Sequence, residues 1–142
     1  MNAPLPHRYE VSLSAEGGSL GSLSAGARPV LSGGPPPEFG GDGLRWSPEH
    51  LLLGSAALCL MTTFAAIAAK SKLEYAGYDC RAEGVLDKTP EGLRFTRVVL
   101  FVTVRGASAE KAIRLLELAK KHCIVSNSLR LPVEVESVVL AA

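Results

Sequence analysis

The chain has 142 residues and a formal charge of +1, from 15 lysines and arginines against 14 aspartates and glutamates. That length suits one ordinary domain, which can bury about two-thirds of its unfolded surface. Near-neutrality with no basic cluster argues against nucleic acid as a partner, and three cysteines are too few for a disulfide scaffold.

Met1–Arg8 holds no apolar core of the kind a secretory signal needs. Residues 1–6 are expected to be a flexible N-terminus, and the reducing cytoplasm is the expected location. Tyr9–Ala15 alternates apolar and polar residues, the mark of a half-buried strand. Gly17-Gly18 supplies a turn, and short strands are expected near Leu20–Leu23 and Arg28–Leu31. The glycine- and proline-rich run from Gly33 to Gly43 reads as a loop without regular structure.

Ser47-Pro48-Glu49 is a strong helix start: an N-cap serine, a proline at the first helical position and a carboxylate near the positive end of the dipole. The helix is expected to run to about Lys72. Leu51–Ala69 is 19 residues without a charge, near the length of a bilayer span. Gly54, Ser55, Thr62, Thr63 and the many alanines argue for a helix buried on all sides, with no membrane as partner. Strands are expected over Tyr78–Leu86 and Leu93–Arg105, the second apolar on both faces and so covered on both. Ser108 starts a second helix with Ala112, Leu115, Leu116 and Ala119 as its buried stripe. It breaks near His122-Cys123, and Val133–Leu140 forms a last strand. The order βββ-α-ββ-α-β is that of a single α+β domain over residues 1–142.

The cysteines carry the chemistry on offer. Cys59 lies mid-helix among Leu58, Leu60 and Met61. By itself it reads as a small buried hydrophobe, and burial raises a thiol's pKa. Cys123 follows Lys120, Lys121 and His122 and precedes an apparent helix start, both of which favour a thiolate. Equally, those cations could only complement the preceding helix dipole. Asn127 and Ser126 read as caps of that junction. Cys80 reads as structural, with Arg81 on the opposite strand face. His7 and His50 are isolated, and His50, at a helix start, reads as exposed. Cys59, Cys80, Cys123 and His122 lack CxxC spacing and make a poor zinc set, and no glycine motif sits in a nucleotide-binding context.

Two motifs in order carry a resemblance. Ser47-Pro48-Glu49 with Leu51-Leu52 leads into a small-residue helix bearing Cys59; Cys123-Ile124-Val125-Ser126-Asn127-Ser128-Leu129 follows 64 positions later. Together they resemble the OsmC/Ohr family (osmotically inducible protein C and organic hydroperoxide resistance), in its OsmC-like branch, over about Tyr9–Leu140. The resemblance implies an intertwined homodimer whose sheets wrap around central helices. It implies that Cys59 is a peroxidatic thiolate, Cys123 its resolving partner and Glu49 a supporting acid. It implies no bound cofactor or metal, and an external thiol reductant, in the hydroperoxide-resistance branch a dihydrolipoyl group. Ser19 stands where that branch carries an arginine, with Arg28 and Arg45 the possible substitutes. Ile124 stands where it carries a proline.

Glu49 and Cys59 are ten residues apart, about 15 Å along a straight helix, too far for direct contact within it. The resulting expectation is a dithiol peroxidase that reduces small apolar hydroperoxides in oxidative stress defence, at a site lined by Leu58, Met61 and Phe64. The alternatives are a lipid-like small-molecule binding protein, a slow redox sensor, and a structural protein with inert thiols.

Overall fold

The computed structural model describes residues 3–141, so part of the expected flexible N-terminus lies outside the described residues. The chain forms two compact units, Met1–Leu51 and Leu52–Ala142.

The first unit is a three-stranded antiparallel meander: β1 (Ser12–Ser14), β2 (Gly21–Ser24) and β3 (Leu31–Gly33). Ser12 pairs with Ser24 and Leu23 with Leu31. The third strand begins where the expected one ends, because Arg28 is used in the turn. Its backbone N–H and its guanidinium both donate to the Ala25 carbonyl. The glycine-proline run is not wholly irregular, since Pro37–Phe39 forms one 3-10 turn. At Gly41 a side chain would collide with the Pro35 carbonyl, and the Gly41 N–H donates to Pro36 O at 3.0 Å. Only glycine permits that approach. Leu13, Leu20, Leu23, Trp46, Pro48 and Leu51 line an open cleft of about 570 Å³ in this unit, and Trp46 is 50% exposed.

The helix α1 (Pro48–Lys70) starts where the sequence places it. The Ser47 hydroxyl accepts the His50 N–H at 3.1 Å, as an N-cap should. At the other end Lys72 is left-handed, with φ 55°. The Leu73 N–H reaches Ala68 O at 2.9 Å and the Lys72 N–H reaches Ala69 O at 3.3 Å. This is a Schellman closure with lysine where glycine is usual.

The second unit has one sheet, ordered β4 (Gly77–Thr89), β5 (Gly92–Arg105) and β6 (Val133–Leu140). β4 and β5 are antiparallel; β5 and β6 are parallel, with Val98 opposite Val133 and Arg105 opposite Leu140. A parallel pair needs a crossover. It is supplied by α2 (Ala109–His122) and a four-residue helix, α3 (Ile124–Asn127). Ser108 occupies the N-cap of α2 without a side-chain cap bond.

The core joins three stripes. From α1 come Ala56, Leu60, Phe64 and Ala68, one face at four-residue spacing. From β5 come Val98, Leu100, Val102 and Val104; from α2 come Ala112, Leu115, Leu116 and Ala119. Phe64 packs edge-on to Tyr75 at 5.3 Å between ring centres and lies 5.5 Å from Tyr78. A Cβ on Gly84 would come within 2.8 Å of Leu53 and 2.9 Å of Phe95, so glycine lets α1 press onto β4 there.

The helix is not buried on all sides, contrary to the sequence expectation. Ser55, Leu58, Thr62 and Ala66 lie on an exposed face, with Leu58 59% exposed. By length and composition α1 could cross a membrane, but its apolar stripe is spent on the core of this unit. On the far face of β5 Val99 is buried, and the Arg81 guanidinium lies 4.3 Å over the Phe101 ring.

Candidate active site

α2 ends because the backbone at Cys123 turns extended, φ −69° and ψ 108°. The same residue is the N-cap of α3. The first N–H groups of a helix have no carbonyl of their own to bond. Here the freed N–H groups of Ile124 and Val125 favour a negative charge on the sulfur of Cys59 on α1. Asn127 locks the break: its side-chain N–H donates to Lys121 O at 3.0 Å and its backbone N–H to Cys123 O at 3.0 Å. The expected capping role of Asn127 is therefore its observed one.

The two sequence-predicted thiols meet at this junction. Both are free thiols, and the Cys123 thiol is one of the groups that favour ionisation of Cys59. Burial pushes the Cys59 thiol up. The Val125 N–H, the Cys123 thiol, the Thr63 hydroxyl and the Ile124 N–H together outweigh it and hold Cys59 below the ordinary thiol range. Thr63, one helical turn along α1, also donates to the Cys59 carbonyl at 2.7 Å. A hydroxyl has a single proton. It can therefore serve the sulfur only by giving up the carbonyl.

The local features of the sequence pointed to Cys123 as the reactive thiol, and here the structure corrects them. Lys120, Lys121 and His122 are exposed at the end of α2, whereas Cys123 is 0% exposed within the core. Cys59 is partly exposed. Leu58 and Met61 flank it on the helix, but Phe64 is fully enclosed and forms core, not an entrance wall.

Cys80 faces the core, and burial pushes its thiol up. The Tyr78 hydroxyl is enclosed and has no hydrogen-bond partner among the described residues. Burial, then Cys80, Cys123 and Tyr75, raise its phenol above the ordinary range, so it stays protonated. Sequence reasoning gave neither Thr63 nor Tyr78 a role. For Thr63 the signal was present, a hydroxyl four residues beyond Cys59 on the same helical face.

Glu49 belongs to the first unit, in the first turn of α1. It is half-buried, and one carboxylate oxygen is shielded without a partner among the described residues. Neither possible substitute arginine is free within that unit. Arg45 is paired with Asp42 and donates to the Ser32 hydroxyl at 3.1 Å, and Arg28 is held by Ala25. Ser19 lines the open cleft. Among the described residues no three His, Cys, Asp or Glu side chains converge to hold a metal.

The family model for OsmC-like proteins matches residues 40–138. An OsmC-like protein of unknown function from Vibrio cholerae superposes with a TM-score of 0.84 at 19% identity, covering 94% of this chain and all of that one. An organic hydroperoxide resistance protein OsmC from Legionella pneumophila gives 0.76 at 27% identity, over 95% of this chain and 99% of that one. The uncharacterized protein YmaD of Bacillus subtilis is 28% identical over 107 residues, 71% of each chain.

Proposed function

We propose that this chain, which belongs to the OsmC-like protein family, is a dithiol peroxidase that reduces organic hydroperoxides. The observation that carries the reading is the Cys59 sulfur, favoured as a thiolate by backbone N–H groups and by a second thiol, that of Cys123. The likeness to a hydroperoxide resistance protein supports it.

In this reading the Cys59 thiolate attacks one oxygen of R–O–O–H and the O–O bond breaks. The alkoxide takes a proton and leaves as alcohol, and Cys59 becomes a sulfenic acid. The Cys123 sulfur then attacks Cys59. Hydroxide departs, gains a proton and leaves as water, and a Cys59–Cys123 disulfide remains. A thiol reductant, with a dihydrolipoyl group as one candidate, returns both sulfurs to thiols. Apolar Leu58 and Met61 beside Cys59 favour organic hydroperoxides over hydrogen peroxide.

Further parts of the proposal are a homodimer, a cytoplasmic location and a supporting role for Glu49. The uncovered face of α1 and the apolar cleft of the first unit favour a second copy as cover. The shielded, unpaired Glu49 oxygen calls for a donor. The test is thiol-dependent consumption of cumene hydroperoxide. Turnover is expected in the native chain and lost in Cys59→Ser; undiminished turnover in that variant refutes the mechanism. A second reading, binding of a lipid-like molecule in the cleft of about 570 Å³, predicts a copurifying ligand in native mass spectrometry and no turnover.

A further inference from the structure

We infer that the external reductant attacks the Cys59 sulfur of the oxidised pair and expels Cys123, not the reverse. The inference rests on the disulfide proposed above. It follows from where the two sulfurs sit.

Exchange at a disulfide needs the attacking thiolate to approach one sulfur roughly in line with the bond being broken, so access decides which sulfur is struck. Cys123 has no exposed surface and packs with Leu60, Leu100 and Ala119 in the core. An in-line approach to it must come from that side. A cleft of about 430 Å³ borders it, with Lys120, Asn127 and Arg130 among its lining. Cys123 forms part of its wall, yet the residue has no exposed surface there. Cys59 is partly exposed. A partner subunit could only remove accessible surface, so Cys123 stays sealed in any assembly that keeps this fold; the proposed second copy must leave the Cys59 sulfur reachable, as entry of a peroxide also requires.

Leaving-group chemistry pulls the other way. Cys59 is held below the ordinary thiol range, and a thiol of lower pKa departs faster. With a rate sensitivity near one-half, a tenfold difference in acidity changes the rate about threefold. Exposing Cys123 requires a minor, opened state, and a population of about one in a hundred already costs more than that. Access therefore wins.

The step balances as follows. A reductant thiolate bonds to the Cys59 sulfur, the S–S bond breaks, and its electron pair leaves on Cys123, which takes up a proton. A second reductant thiolate attacks the reductant's own sulfur in the mixed disulfide and releases Cys59 as thiolate. Two reductant thiols are oxidised to one disulfide, and two protein thiols are restored. In this second step the N–H groups of Ile124 and Val125 receive the departing sulfur. The contacts that ready Cys59 for peroxide also discharge the reductant.

The experiment uses the full chain. One equivalent of cumene hydroperoxide is added, and intact mass confirms the loss of two hydrogen atoms. A brief pulse of 2-mercaptoethanol, acid quench, alkylation and peptide mapping follow. The expected product carries mercaptoethanol on Cys59 and the alkyl label on Cys123. Mercaptoethanol on Cys123 overturns the inference, means that the cleft beside Lys120 opens, and leaves the peroxidase reading standing. If no Cys59–Cys123 disulfide forms, the inference and the reading beneath it both fall, and the intact mass shows this before thiol is added.

Discussion

Thr63→Val removes a hydroxyl while nearly conserving shape, and Thr63 is the one side chain besides Cys123 that steadies the Cys59 sulfur. A hydrogen bond to a charged group contributes about 1.5–3 kcal/mol, and one between neutral groups about 0.5–1.5. Because the Thr63 proton leaves the Cys59 carbonyl to reach the thiolate, the net loss is the difference, about 1 kcal/mol. That lowers the thiolate population at a pH below the titration midpoint about fivefold. The remaining thiolate is more basic and therefore a stronger nucleophile, which restores about twofold. The expected net effect on peroxide reaction at neutral pH is a two- to threefold slowing, about the quotient of those factors. The assay is peptide-resolved alkylation by iodoacetamide across a pH series, with Cys80 as internal reference. The Cys59 profile should move toward alkaline pH, and melting temperature should hold. An unmoved Cys59 profile in a folded variant would refute the assignment of this hydroxyl to the sulfur.

In the native chain the same alkylation series should place Cys59 on the acid side of the ordinary thiol range and Cys80 on the alkaline side. The sign follows from hydrogen bonds outweighing burial at one and burial alone at the other. Cys80→Ser should leave peroxide turnover unchanged, and a fall in turnover would bring Cys80 into the chemistry. Lys72→Gly should raise stability by about 0.5 kcal/mol and the melting temperature by about 2 °C. It relieves a left-handed lysine but adds freedom to the unfolded chain. Phe64→Ala should cost about 3–5 kcal/mol by emptying the space against Tyr75 and Tyr78; a loss under about 1 kcal/mol in calorimetry would contradict its placement in the core.

Strong local signals located the elements that depend on them. Ser47-Pro48 fixes the start of α1 by capping chemistry alone, and alternation gives Val133–Leu140 residue for residue. β3 was misplaced because a three-residue strand has little pattern of its own and takes its position from pairing with β2. The meeting of Cys59 and Cys123 was legible only through family resemblance, since 64 intervening residues say nothing of distance. No arginine of the described residues is among the groups that lower Cys59. Much of that work falls to main-chain N–H groups, which every residue but proline carries, so no residue type announces them. What exposes them is the break at Cys123, visible in sequence only as a helix that fails to continue.

The parallel pairing of β5 with β6 has a kinetic meaning. Cys59 gains its donors only when the crossover through α2 and α3 is complete, and such long-range parallel contacts are slow to form. Until β6 docks, Cys59 should behave as an ordinary thiol on a helix. Alkylation of Cys59 at neutral pH is thus expected to speed up in the last stage of assembly and so to time it. A nascent or partly folded chain carries a quiet sulfur and acquires its reactivity together with its finished sheet.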